Sequence, residues 1–446
     1  MKKSIIYTAI GALALSACTK TQFSTPAYSP GSANFTNTVS VGNSLTQGFM
    51  DGGLYYNGQK NSYPAIIANQ IQSAVKITFN QPMVTGNGSG YIHLVYENNQ
   101  FSPIQPGDDS TAGVNPCDQD PSWNTWGDTS KRYNNLGIAG IRLTDCVALT
   151  PMEKLINNVA VNWQTTPFTG SRPVGNPYGR FINFGSVLAN PIQYIDVIRK
   201  SKATFFTCWL GNNDVLGYSL NGGVITSLTV PGFGTFALDT ITPPTAFAQK
   251  YDSILTAFHN MGAKGVCATI PNVSSIPYFT TVPIYVTVNG NPQYLWITTK
   301  TGVRQAMPGD LICLPAYSSV LTGVGFYKSN PLPDNLVLDM DEVANVQSST
   351  LAYNSSIKSI AASYGYPVID MYEFLGTLQK SYTIDGMTLT AQFIQGGAFG
   401  LDGVHPNARG YAVIANQFIN QINLSFGATI PLADVSSYPG VNFPNF

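Results

Sequence analysis

Four short segments of the chain carry residues that could together cleave an acyl bond. Gly42-Asn43-Ser44-Leu45 offers a serine hydroxyl, and Asn135-Leu136-Gly137-Ile138-Ala139-Gly140 offers glycine backbone N–H groups. Gly211-Asn212-Asn213-Asp214 adds a side-chain amide, and Asp402-Gly403-Val404-His405-Pro406 adds an imidazole three residues after a carboxylate. A serine hydroxyl attacks a carbonyl only when a base takes its proton, and the oxyanion that forms needs donors aimed at it. Ser44 is therefore the candidate nucleophile, His405 the base, and Asp402 the carboxylate that orients the ring. Each block alone reads as a turn, and Ser44 alone as a helix N-cap. Their joint occurrence, in this order, favours the catalytic reading.

These blocks resemble those of the SGNH, or GDSL-type, hydrolase family, named for a Ser, Gly, Asn and His drawn one from each block. Ser62-Tyr63-Pro64-Ala65-Ile66-Ile67-Ala68 also looks like that family's first helix. The resemblance runs from about residue 38 to 424. It implies an α/β fold, a flavodoxin-like three-layer α/β/α parallel sheet, and a carboxylic ester hydrolase that needs no metal or organic cofactor. It also implies an oxyanion hole made of Ser44 N–H, Gly140 N–H and the Asn213 amide, with Gly140 matching the family glycine by its distance from Asn135. One departure is Asn43, where the family has Asp; that position supports the turn and carries no proton.

The elements needed to hold these groups are visible in the hydrophobic pattern. Strand-like runs occur at 38–41, 133–136, 204–210, 265–270 and 366–369, and helical patterns at 63–73, 191–200, 244–261, 341–364 and 410–421. Alternation of apolar strands with helices predicts a parallel sheet covered on both faces. The first three blocks each begin where a strand pattern ends, the edge at which open α/β sheets bind ligands. Insertions near 80–131, 151–190, 218–242 and 277–335 break the alternation. They are rich in Gly, Pro, Asn, Thr and aromatics, and are expected to wall the substrate site. Within the last, Ile284–Val288, the Asn289-Gly290 turn and 294–297 read as a hairpin.

Lys2 and Lys3 followed by an apolar run form a leader over residues 1–17, and Leu15-Ser16-Ala17-Cys18 resembles the bacterial lipobox, whose cysteine is acylated. Residues 18–37 read as a flexible tether from Cys18, and 38–446 as the hydrolase-like domain. Thr19 in place of Asp favours a lipid-anchored protein of the cell envelope, at the outer membrane. Charged residues make up only 10% of the chain, and loss of the two leader lysines takes the net charge from −1 to −3. Nothing basic enough for nucleic acid is present. The expected substrate is a lipid or another acyl ester, with an acylated glycan as the alternative. A second class of reading is a surface binding lipoprotein docking an outer-membrane protein.

Among six cysteines no C-x-x-C pair occurs, and Cys117 and Cys146 are the expected disulfide of an oxidising envelope. Cys208 and Cys267 read as buried hydrophobes. His93 reads as a loop residue and His259 as an exposed helix position. No G-x-S-x-G elbow, H-E-x-x-H pair or phosphate-binding loop occurs, and no metal is expected. Asp108-Asp109 and Asp118–Asp120 fit solvated loop charge better than a calcium loop.

Overall fold

The computed structural model describes residues 27–97, 100–107, 117–120, 131–149, 193–230, 234–237 and 239–444. The leader, residues 18–26 with Cys18, and the whole 151–190 insertion lie outside the described residues, as do Asp108 and Asp109. The rest of the expected tether is corrected: residues 27–37 pack on the domain, with Phe35 buried edge-on against Phe205 and Ser32 N donating to Phe426 O. A parallel sheet forms the centre, from β1 (Thr38–Gly42), β2 (Phe205–Trp209), β3 (Lys264–Ala268) and β4 (Val368–Ile369), in that order. Every residue of β1 and β2 is buried, as expected of strands covered on both faces. The run at 133–136 lies along the outer edge of β1, where Ser40 N donates to Asn134 O and Leu136 N to Ser40 O. It pairs through a single parallel bridge, Ser40 with Asn135, and is not a full strand. Asn134 and Asn135 turn their side chains onto neighbouring backbone and side-chain groups, and this holds the edge in place of a ladder. With that edge segment counted, the order 2-1-3-4-5 is the flavodoxin-like one.

Side chains alternate across the sheet and recruit a helical layer to each face. On one side Trp209 packs with Tyr63 of α1 (Tyr63–Ile71) and Phe418 of α6 (Ala408–Phe426), with the Tyr63 and Phe418 rings stacked at 4.8 Å. On the other, Phe206 stacks at 4.0 Å on Phe258 of α3 (Pro244–Asn260), against which α4 (Met340–Ser363) packs. Among the described residues, two helices of eight residues or more were not expected from the sequence. One is α2 (Asn213–Leu220), short and with Gly217 in its sequence. The other is α5 (Met371–Lys380), capped by the Asp370 carboxylate on Glu373 N and burying Met371, Leu375 and Leu378. Among the described residues no helix is long and apolar enough to cross a membrane.

The insertions form small antiparallel pairs. Residues 277–335 build a module with its own apolar cluster, including Leu295, Ile297, Ile312 and Leu332. Its hairpin pairs Tyr285–Val288 with Asn291–Tyr294 across Asn289-Gly290, both at positive φ as a type I′ turn requires. Trp296 and Ile297, expected in that hairpin, instead pair with Arg304–Gln305 in a second one (Trp296–Thr299 with Gly302–Gln305). His93 sits in a strand, His93–Glu97, paired with Gln100–Ile104, rather than in a loop. His259 is an exposed position on α3, as read.

The Cys117–Cys146 disulfide is corrected: the two sulfurs are not joined to each other. Cys117 lies in the segment whose carbonyl accepts from Tyr91 N, in the 80–131 insertion. Cys146 is buried in the main core, ending the short helix Leu143–Cys146, with its thiol directed at Arg142 O. Cys208 and Cys267 are buried on neighbouring strands.

Candidate active site

The turn that carries Ser44 is built from the end of β1. Gly42 must be glycine because a Cβ there would meet Thr46 Oγ1 at 1.9 Å and Trp209 O at 2.8 Å. Asn43 then caps the short helix Ser44–Gln47, its Oδ1 accepting from Leu45 N at 3.1 Å, the supporting role read for it. Ser44 thereby stands at the carboxyl end of the sheet. Its Oγ lies 2.8 Å from His405 Nε2, and His405 Nδ1 lies 2.7 Å from Asp402 Oδ2. A carboxylate can only accept, so Nδ1 carries the hydrogen and Nε2 is left with a lone pair facing the serine hydroxyl. The His405 and Asp402 side chains are each 12% exposed, open enough for a substrate yet mostly withdrawn from water.

Asp402 is over-determined. Oδ1 accepts from Val404 N and His405 N, both at 2.8 Å, and Oδ2 accepts from His405 Nδ1 and from Gly52 N at 2.8 Å. Burial pushes its carboxyl up, but the adjacent imidazole and these donors prevail and hold it below the ordinary range. Asp402 is thus kept as the anion that an imidazolium needs beside it.

The two glycines of the second block do different work. Gly137 lets the chain pass the nucleophile helix, since a Cβ would sit 2.3 Å from Gln47 N, and its N–H is taken by Asn135 Oδ1. Gly140 adopts φ +77°, is exposed, and its N–H has no hydrogen-bond partner among the described residues. Asn213 donates one amide hydrogen to Ile141 O at 2.9 Å, which joins the third block to the second and leaves the other hydrogen available. Beneath it, Asp214 accepts from Leu143 N at 2.8 Å and Thr242 Oγ1 at 2.6 Å, while burial pushes its carboxyl up to about 6.

Several neighbours carry no motif-level signal. Asp51 and Gly52, which the sequence did not single out, contact the Asp402–His405 loop: Asp51 Oδ1 accepts from Leu401 N at 2.7 Å and Gly52 N donates to Asp402 Oδ2, while Asp51 Oδ2 accepts from Tyr55 OH at 2.8 Å. Burial pushes the Asp51 carboxyl up to about 6, opposed by the Leu401 N–H and reinforced by the charge of Asp402. Gly403, at φ +70°, fits against Leu314 and Tyr278 of the 277–335 module, and Tyr278 N donates to Gly403 O. An apolar cavity of about 80 Å³ is lined in part by Leu45, Val404 and Pro406, the chain neighbours of Ser44 and His405. Phe374, Leu375 and Leu378 of α5 line another side. No residue of 277–335 lines it.

A family model described as GDSL-like lipase/acylhydrolase matches residues 39–418, a span that includes all four blocks. The chain belongs to the GDSL-like lipase/acylhydrolase family. It is a hydrolase by that membership, with the α/β architecture described above. No curated protein sequence matches it. Three solved structures are similar to this GDSL-like chain. They are LAE5, an alpha/beta hydrolase enzyme from the metagenome of Lake Arreo, Spain, at 12% identity and TM-score 0.34, over 88% of this chain and 96% of that one; a lipase/acylhydrolase from Enterococcus faecalis, at 11% and 0.32, over 89% and 98%; and an extracellular lipase from Streptomyces rimosus, at 11% and 0.31, over 87% and 99%.

Proposed function

We propose that the protein is a serine ester hydrolase that works through an acyl-enzyme. The observation carrying this reading is the unbroken relay from Ser44 Oγ through His405 to Asp402, at 2.8 and 2.7 Å. Ser44 Oγ attacks the ester carbonyl as its proton passes to His405 Nε2, and the carbonyl electron pair moves onto oxygen. Ser44 N–H, Gly140 N–H and the free Asn213 amide hydrogen stabilise that oxyanion. Collapse breaks the bond to the alcohol, which leaves with the proton from Nε2. Water then repeats the sequence on the acyl-Ser44 ester and frees the acid. Ser44→Ala tests this directly: ester turnover and fluorophosphonate labelling should both vanish in a protein that still folds, a loss of several orders of magnitude. Turnover close to that of the parent protein sinks the assignment.

The substrate we assign is a lipid or fatty-acyl ester, on the ground of the apolar cavity lined by Leu45, Val404 and Pro406, the chain neighbours of Ser44 and His405; a carbohydrate O-acetyl ester needs no such apolar space. We further assign the protein to the cell envelope, anchored in the outer membrane through acylated Cys18, on the strength of the leader and lipobox-like residues. Two or more acyl chains give stable anchoring where one does not. Labelled fatty acid should enter the native protein and not Cys18→Ser. A soluble, unlabelled wild type reduces the segment to a plain secretory signal.

A further inference from the structure

We propose that Asp51 is a positioning residue of the hydrolase: its carboxylate and the neighbouring Gly52 amide clamp the Asp402–His405 loop onto the nucleophile segment. The inference rests on the serine-hydrolase reading above and adds what sets the geometry of that site. Nucleophile and base are 361 residues apart, so their 2.8 Å contact has to be fixed by tertiary bonds. Asp51 and Gly52 supply two of them from one turn, just beyond the nucleophile helix. Asp51 Oδ1 holds Leu401 N at 2.7 Å and Gly52 N holds Asp402 Oδ2 at 2.8 Å, one on the residue before the acid and one on the acid itself.

The clamp is itself fixed in place. Tyr55 OH donates to the other Asp51 oxygen at 2.8 Å, and Ile92 N donates to Asp51 O at 2.7 Å. Asp51 adopts φ +51°, a left-handed conformation that Asp and Asn tolerate better than most residues. The loop side is shaped to receive it. Gly400 donates its N–H to His405 O at 2.8 Å, and a Cβ on Gly400 would stand 2.7 Å from Asp51 Oδ1. Asp51 makes no bond to Ser44, His405 or the oxyanion donors, so it acts through Asp402 and the loop rather than on substrate.

The test uses the full-length protein and a short-chain aryl ester. Asp51→Gly removes the carboxylate without straining the left-handed turn. A loosening of about 1 Å should lower kcat about 10²-fold with KM unchanged, and slow fluorophosphonate labelling of Ser44 in step. Asp51→Asn should recover activity to within a few-fold. Its Oδ1 still accepts from Leu401 N, and its amide donates to Tyr55 once that hydroxyl turns round. Parental kcat and labelling in Asp51→Gly, a change in KM alone, or equal losses in Gly and Asn each overturn the clamp. Should Asp51→Gly not fold, Tyr55→Phe takes its place: kcat falls several-fold at constant KM, or the proposal fails. Ser44→Ala run alongside separates the two readings. If it stays active the catalytic assignment is wrong, whereas an inert Ser44→Ala beside a fully active Asp51→Gly removes the clamp alone.

Discussion

Filling the apolar cavity should shorten the acyl chains the protein accepts without touching its chemistry. Leu375, on the buried face of α5, lines the cavity, and Leu375→Trp places a larger side chain into that space. Each methylene withdrawn from water is worth about 0.8 kcal/mol, or roughly fourfold in kcat/KM when the gain is realised in the transition state. From acetyl to octanoyl, six methylenes amount to about 5 kcal/mol, an upper bound of a few thousand-fold. The assay is kcat/KM for a series of p-nitrophenyl esters from two to twelve carbons. The parent should climb by up to about fourfold per methylene and then level off where the cavity ends. Leu375→Trp should level off several carbons earlier, with its acetyl-ester rate within about twofold of the parent. Overpacking of this kind costs about 1–3 kcal/mol of stability, so the acetyl rate and a melting curve serve as controls. If the slope is untouched by Leu375→Trp but collapses when 277–335 is trimmed to a turn, the acyl walls lie in the insertion and the cavity is only a packing gap.

Further outcomes follow from the site. Asn213→Ala should lower kcat by about 10²–10³ with little change in KM, measured by steady-state kinetics, because the amide acts on charge that exists only after attack. Asp402→Asn presents an amide to Nδ1 and favours the wrong tautomer, so kcat should fall by up to about 10⁴ while circular dichroism stays unchanged. Asp214 gives a pH signature. Its folded-state pKa of about 6 lies above the usual 3.8, so its contribution to stability is full at low pH and is lost as pH rises to about 6. Asp214→Asn lacks that loss, so its stability relative to the parent should improve by about 2 kcal/mol between pH 4 and pH 7 in urea titrations. A difference that is flat with pH contradicts the assignment.

Much of this protein could be read from short-range pattern. The strands at 38–42, 205–209 and 264–268 show as apolar runs because both faces of the sheet are covered, and burial on both faces needs no partner to be visible in sequence. Long helices such as 244–260, 340–363 and 408–426 show because their apolar periodicity persists over several turns. Ser44 and Asn213 stand out because they follow strands, and Asp402 and His405 because serine acyl chemistry needs an imidazole paired with a carboxylate. The resemblance to the hydrolase family, carried by the same residues, agrees with the family match over 39–418.

What tertiary structure alone decided is whatever depends on partners distant in sequence. The segment at 133–136 is apolar enough for a strand but lies at an edge held by asparagine side chains, and becomes a single bridge. Trp296 and Ile297 alternate correctly for the first hairpin yet pair onward, because Asn291–Tyr294 already fills the register set by Asn289-Gly290. Cys117 and Cys146 are compatible with a disulfide by spacing alone, but one lies beside Tyr91 and the other in the main core. Asp51-Gly52 carries only a turn signal, and its carboxylate gains a role through Leu401 and Asp402, some 350 residues away. The cavity against α5 likewise exists only where two helices and the catalytic loop converge. A side chain's chemistry is local and legible; the distance at which it meets its partner is set by the whole packed chain.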